Sequence, residues 1–289
     1  MNRNAIIMAA GMSTRFVPLS LENPKALLKV KGEIMIERQI EQLRAAGVQE
    51  IVVVVGYLKE KFEYLKEKYD VILIENPYYE YMNNFSTLYV AKKYLRDTFI
   101  CSADNYFVKN VFLEELNHSY YAAVYQTGTT DEWCLECDES EKITDVKVGG
   151  QDRWVMKGHA FFKEDFSQKI VPYLEQAFST EAMWGNYWEN LYIEHMDELE
   201  LYIKRYEDNV IEEFDSLEEL REFDSSYIEK TGSRILAEIC EKLGCKESEI
   251  QKIIPHKKNG EVKGFEFQCG SVKYVYDFQK KIALHHAQR

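Results

Sequence analysis

At 289 residues, 46% hydrophobic and 29% charged, the chain is long enough for one large α/β domain, alone or with an appendage. A formal net charge of −13 argues against a nucleic-acid partner, whose phosphates demand the opposite sign, although a small anion needs only a few local cations. No apolar run approaches the ~18 residues of a transmembrane helix, residues 5–10 are too short for a signal peptide, and six cysteines make no dense disulfide framework. A cytoplasmic, reduced protein without membrane insertion is expected.

Residues 5–10 form a short apolar run ending at Gly11, the pattern of a first strand. Residues 34–46 show helical spacing that stops at Gly47, and Val52 to Val55 lie within a β-branched run at 51–55 that suits a strand buried on both faces. A charged helix (59–68), a third strand (71–75), a helix (86–95) and a fourth strand (98–102) follow. Strands alternating with helices predict an α/β fold, a three-layer sandwich on a mostly parallel sheet. In such sheets ligands sit beyond the carboxyl ends of the strands, here at Gly11, Gly56 and Asp104. From Tyr120 the texture turns to strand-like pieces (122–126, 133–137, 143–148, 155–162) rich in aromatic residues. Helices at 163–177 and 187–196, a strand at 199–205 and a strand-to-helix segment at 210–223 complete a domain over 1–225.

The stretch Ala9-Ala10-Gly11-Met12-Ser13-Thr14-Arg15-Phe16, followed by Pro18 and Pro24-Lys25, carries the most chemistry. Small residues let backbone N–H groups approach a triphosphate, and Arg15 and Lys25 bring charge to its oxygens. It is neither a Walker loop nor a dinucleotide fingerprint. A tight strand-to-helix turn explains Gly11 alone, but not Arg15 and the Pro-Lys pair.

This stretch resembles the signature of sugar-phosphate-type nucleotidyltransferases, with Ser13 where the second glycine usually stands. Pro24-Lys25-Ala26-Leu27, Gly56-Tyr57-Leu58-Lys59-Glu60, Asn83-Asn84-Phe85-Ser86, Ala103-Asp104-Asn105-Tyr106, Asn186-Tyr187-Trp188-Glu189-Asn190 and Glu213-Phe214-Asp215-Ser216 are similar to the bacterial phosphocholine cytidylyltransferases over about residues 4–223. The resemblance implies a mixed sheet and a magnesium-dependent transfer of CMP from CTP to a phosphorylated amino alcohol, giving CDP-choline and pyrophosphate. Asp104, at a strand end, is the expected magnesium ligand, with Asp215 as the partner carboxylate that the resemblance implies. Turn capping by Asp104 and helix capping by Asp215 stand as the plainer alternatives. Lys25 would hold the acceptor or α-phosphate and Arg15 the β- and γ-phosphates. Backbone at Ala9–Gly11 and the segment Asn83, Asn84 and Ser86 would select the base, or cap helices.

A trimethylammonium group donates no hydrogen bond, so ring faces and a nearby carboxylate must hold it. Trp133, Tyr187 and Trp188 with Glu189 are the candidates, Trp154 and Trp184 weaker ones, and core packing is the competing reading for each ring. Cys134 and Cys137 have metal-ligand spacing without a second pair, and His285-His286 reads as a solvated end. Residues 226–289 form an appendage: an amphipathic helix (235–243) and a possible hairpin (265–268, 272–276). It resembles the opening of choline-kinase-type enzymes without their catalytic parts. It is expected to be a docked remnant or a homo-oligomerisation element, outside catalysis. Rival readings are a cytidylyltransferase for 2-aminoethylphosphonate or phosphoethanolamine, a sugar-1-phosphate nucleotidyltransferase, and an inactive nucleotide-binding regulator.

Overall fold

The structure is a computed structural model and describes residues 3–114, 116–258, 261–279 and 281–284; His285-His286 lies outside them. In chain order the elements are β1 (Asn4–Ala9), α1 (Leu19–Glu22), β2 (Lys29–Val30), β3 (Glu33–Ile34), α2 (Met35–Ala45), β4 (Glu50–Val55), α3 (Tyr64–Tyr69) and β5 (Ile72–Glu75). There follow α4 (Phe85–Ala91), β6 (Thr98–Ser102), β7 (Asn105–Phe107), β8 (Tyr120–Cys137), β9 (Ile143–Phe162), α5 (Glu164–Phe178), α6 (Trp188–Glu194), β10 (Tyr202–Tyr206) and β11 (Ile211–Glu213). The chain continues through α7 (Leu217–Phe223), α8 (Ser226–Glu229), α9 (Arg234–Leu243), β12 (Ile250–Lys258), β13 (Glu261–Cys269), β14 (Val272–Asp277) and β15 (Lys281–Leu284). Among the described residues no helix is long and apolar enough to cross a membrane.

Two compact units divide the chain, Met1–Gly11 with Met35–Glu213, and Met12–Ile34 with Phe214–Arg289. The first is built on a seven-stranded sheet in the order β10-β8-β9-β6-β1-β4-β5. β1 pairs in parallel with β4 and β6, and β9 runs antiparallel between β6 and β8. The sheet is therefore mixed and mostly parallel, as expected. The apolar run of β4 is buried throughout, which fits a central strand covered on both faces. On one face Phe85, Leu88, Phe166, Leu174 and Tyr192, from α4, α5 and α6, close over Ile6, Val54, Ile100 and Phe162. Burying side chains of this size contributes roughly 1.5–3 kcal/mol each.

The four strand-like pieces expected between 122 and 162 are two long strands, β8 and β9, paired with repeated register shifts. Residues 125–129 break the apolar pattern because they are solvent-exposed. Their backbone ladder continues, since backbone pairing needs no apolar face.

In the second unit, the expected hairpin is the inner pair of a four-stranded antiparallel sheet, β12-β13-β14-β15. Ser233 caps α9, its hydroxyl accepting from the Leu236 N–H at 3.1 Å, and Leu236 and Ile239 are fully buried. This unit differs from a boundary at 225/226, because the appendage shares it with Met12–Ile34 and with α7.

Candidate functional site

Asp104 sits half-buried on the turn between β6 and β7. The turn is fastened from two sides. Ala103 N–H donates to Met8 O at 3.1 Å, and the Gln39 amide donates to Ser102 O at 2.9 Å and Asn105 O at 2.7 Å. Gln39 is 1% exposed, on the same buried face of α2 as Met35, Ile36, Ile40 and Leu43. A polar residue interrupting that apolar stripe is the signal that the sequence reading missed. Gly158 is a second such residue: a Cβ there would stand 2.6 Å from Ser102 Oγ and 2.9 Å from Asn105 Oδ1. Only glycine lets β9 pass this close to the turn.

Asn105 is fully buried, and neither polar atom of its side chain has a hydrogen-bond partner among the described residues. Asp104, Asn105 and Ser102 together present hard oxygen donors, which suits magnesium and not a soft metal. Among the described residues no three His, Cys, Asp or Glu side chains gather into a metal cage. Magnesium does not require one; it is usually bound by one or two carboxylates with substrate phosphates and water.

Asn83, Asn84 and Ser86 turn inward. Asn84 Oδ1 accepts from Trp188 N–H at 2.8 Å, capping α6, while its Nδ2 donates to Glu189 at 3.2 Å. Asn83 Nδ2 donates to Gly185 O at 3.2 Å. Ser86 is fully buried, donating to Asn83 O at 2.8 Å and accepting from Asn76 at 2.9 Å. Asn84 ties the start of α4 to the start of α6, and Ser86 is held between Asn83 and Asn76.

The aromatic candidates separate in the same way. Trp188 is 1% exposed and packs between Tyr121 and Phe162, which corrects its place in the box: the ring is core. Trp133, half-buried on β8, meets Tyr187, 46% exposed, edge to face at 5.9 Å. Glu189, two residues after Tyr187, is buried. Its carboxylate accepts from Tyr121 OH at 3.0 Å and from Asn84, and burial pushes its carboxyl up to about 7 against those hydrogen bonds. Trp184 packs against Tyr81, and its indole donates to Phe178 O. Trp154 lines a cavity of about 400 Å³ with Tyr125, Lys157 and Glu207, under the Arg205 guanidinium. Of the CxxC pair, Cys134 is buried and Cys137 accepts from Arg205 at 3.4 Å.

The second unit gathers Arg15, Lys25 and Asp215. Arg15 Nη1 lies 2.6 Å from Asp215 Oδ2, and Lys25 Nζ lies 4.0 Å from Asp215 Oδ1. Lys25 is 4% exposed and sits over the Phe16 ring, whereas the Arg15 side chain is 70% exposed. Asp215 does not cap α7; the adjacent Ser216 does, accepting from Glu219 N–H at 3.2 Å. The helix-cap alternative for Asp215 is thereby corrected, because the carboxylate faces two cations instead. Ser13 holds a left-handed backbone, the conformation that favours glycine, with φ 46° and ψ 49°. A serine tolerates this at a cost of about 1–2 kcal/mol.

At the glycine turn, Tyr57 N–H donates to Ala10 O at 3.1 Å, and a Cβ on Gly56 would meet Ala10 O at 2.9 Å and the Tyr79 ring at 2.7 Å. Ala9 and Ala10 are buried and Gly11 is exposed, so the last residues of β1 are held by β4 while Gly11 opens to solvent. Met12 is exposed and Thr14 half-buried.

Residues 5–141 match the MobA-like NTP transferase domain family. The choline-phosphate cytidylyltransferase of Streptococcus pneumoniae is 38% identical over 76% of this chain and 96% of its own length. The 2-aminoethylphosphonate cytidylyltransferase of Lancefieldella rimae is 39% identical over 78% of this chain and 93% of its own. The solved structure of the Streptococcus pneumoniae CTP:phosphocholine cytidylyltransferase aligns with TM-score 0.75 and 38% identity, covering 78% of this chain and 99% of that one. With identities and coverage of this order on top of the shared fold, the chain belongs to the family of nucleotidyltransferases that includes the bacterial choline-phosphate cytidylyltransferases.

Proposed function

We propose that the chain is a CTP:phosphocholine cytidylyltransferase. A phosphate oxygen of phosphocholine attacks the α-phosphorus of CTP; the new P–O bond forms as the α–β bridge breaks, and pyrophosphate leaves with the bridging electron pair. The attacking phosphate is already anionic near neutral pH, so no general base is required. Arg15 would hold the β- and γ-phosphates and Lys25 the α- or acceptor phosphate, with backbone N–H groups from Gly11 to Thr14 closing on the nucleotide. Asp104 and Asp215 would hold magnesium, which when bound offsets the charge of the two anions. Asp215 is paired with Arg15 within the second unit. Six free cysteines and the use of CTP support a cytoplasmic setting.

The observation that carries the choice of acceptor is the Trp133–Tyr187 pair with Glu189 already committed to Tyr121 and Asn84. A primary ammonium asks for hydrogen-bond acceptors, whereas a trimethylammonium asks for ring faces. The likeness to a 2-aminoethylphosphonate cytidylyltransferase supports a second reading, in which that phosphonate is the acceptor. Pyrophosphate release from a panel of NTPs against phosphocholine, phosphoethanolamine and 2-aminoethylphosphonate tests both. CTP with phosphocholine is expected to give the highest kcat/KM. Preference for 2-aminoethylphosphonate would establish the second reading, preference for phosphoethanolamine would overturn phosphocholine as the acceptor, and no release with any pair would leave a nucleotide-binding regulator.

A further inference from the structure

The segment Met12–Ile34, which carries Arg15 and Lys25, is held at several points by residues from Asp224 onward. Glu22, at the end of α1, accepts the first N–H of α9 (Arg234) at 3.0 Å, placing a carboxylate at the positive end of that helix. Its side chain is only 11% exposed. Tyr227 OH donates to Lys29 O at 3.0 Å, and the buried Asp224 carboxylate accepts Lys31 N–H at 2.6 Å. β12 lies directly against the turn Thr14–Phe16.

The other side of the Arg15–Asp215 pair is tied down as well. Asp215 leads into α7, and from that helix Arg221 donates to three carbonyls of the appendage: Tyr227 at 3.2 Å, Ile250 at 2.7 Å and Glu247 at 2.8 Å. A guanidinium shared among three carbonyls fixes orientation as well as distance. Behind these contacts stand the apolar side chains Leu236, Ile239, Ile250, Phe265 and Phe267, all fully or almost fully buried. The matches to the Streptococcus and Lancefieldella proteins leave roughly a quarter of this chain outside them, and the family resemblance read in the sequence ends near Phe223.

We propose that the segment from Asp224 onward is a buttress that positions the loop bearing Arg15 and Lys25, together with Asp215, and is therefore needed for productive use of CTP. This rests on the cytidylyltransferase reading. It replaces the expectation that the appendage stands outside catalysis. The residues concerned act through the loop and are positioning residues.

The test compares wild type, Glu22→Ala, Glu22→Gln and a chain ending at Phe223, each with steady-state kinetics, an active-fraction titration and hydrogen exchange over Met12–Ile34. Glu22→Ala is expected to raise the KM for CTP and lower kcat, a combined loss of about tenfold or more, since a displacement of about 1 Å can cost on the order of a hundredfold. Its loop amides should exchange faster, with the melting temperature little changed. Glu22→Gln keeps an acceptor for Arg234 N–H and should recover most of the loss; the truncation should show the same pattern, larger. Wild-type kcat/KM for CTP in Glu22→Ala overturns the proposal. So does a loss that merely tracks a smaller active fraction at unchanged KM, the signature of instability alone. If the truncation does not fold, Glu22→Ala decides. If wild type transfers no cytidylyl group, the functional reading fails, while unchanged exchange in Glu22→Ala would separately refute the buttress.

Discussion

Asp104 and Glu189 are both half-buried or buried carboxylates in the first unit, set in different surroundings. Asp104 is presented on a clamped turn beside the amide of Asn105, and if it holds magnesium as proposed, Asp104→Asn should cost turnover without disturbing the fold. Several kcal/mol of transition-state stabilisation corresponds to a fall in kcat of at least about a hundredfold. A variant retaining more than about a tenth of wild-type kcat at saturating magnesium would refute the assignment. Glu189 is an internal tie. Its folded carboxyl keeps a proton to about 7, against an ordinary value of 4.5. The native state therefore binds more protons than the unfolded chain between these values, and this contribution to stability falls as pH rises through that window. Denaturant titrations from pH 4 to 8 should show wild type losing on the order of 3 kcal/mol relative to Glu189→Gln. A difference that stays flat with pH would mean that the carboxylate is ionised in the fold.

At the scale of elements, α2 and the β8–β9 ribbon do the positioning in the first unit. Gln39 of α2 bridges both sides of the Asp104 turn. Gln39→Leu keeps the volume but leaves two carbonyls without that donor, so a loss of roughly 1–3 kcal/mol in stability is expected. The magnesium concentration for half-maximal activity should rise in the same variant. An unchanged magnesium midpoint would confine Gln39 to stability. The ribbon brings Trp133 to Tyr187 at the start of α6. Cation–π contacts are worth roughly 0.5–2 kcal/mol, so Trp133→Ala should raise the KM for phosphocholine about two- to thirtyfold. Equal effects on the KM for CTP would show that the ring is packing and not a ligand contact. Helix α2 and the strand piece that carries Trp133 were legible in the sequence, because β-branched runs and helical stripes repeat at fixed periods, whereas the continuous β8–β9 ribbon was not. Gln39 was hidden inside one of those stripes. A buried amide shows its purpose only when the turn it holds is known.

For the whole molecule, a net charge of −13 means that repulsion opposes compaction, and salt relieves it. Raising ionic strength from about 0.01 to 0.15 M shortens the screening length from about 30 to about 8 Å. A gain of roughly 1 kcal/mol, or about 2–4 °C in Tm, should follow. A Tm that falls with added salt would mean that surface ion pairs such as Lys68–Glu37 and Lys142–Glu200 outweigh the net repulsion.

What the sequence by itself determined is the local chemistry and the periodic elements. The small-residue loop with Arg15 and Lys25, the carboxylate at the end of a strand and the alternation of strands with helices are all set by neighbours within a few residues. The tertiary structure alone decided which of several like residues serves which end. Trp188 went to the core while Trp133 stayed half-open, and Ser216 took the helix cap that left Asp215 to two cations. Only the structure joined the appendage to Met12–Ile34, through contacts such as Glu22 with Arg234, 212 positions apart. The reason is physical: apolar period and residue type say that a face must be buried or a charge paired, but the partner is supplied by whichever distant segment the packing brings alongside.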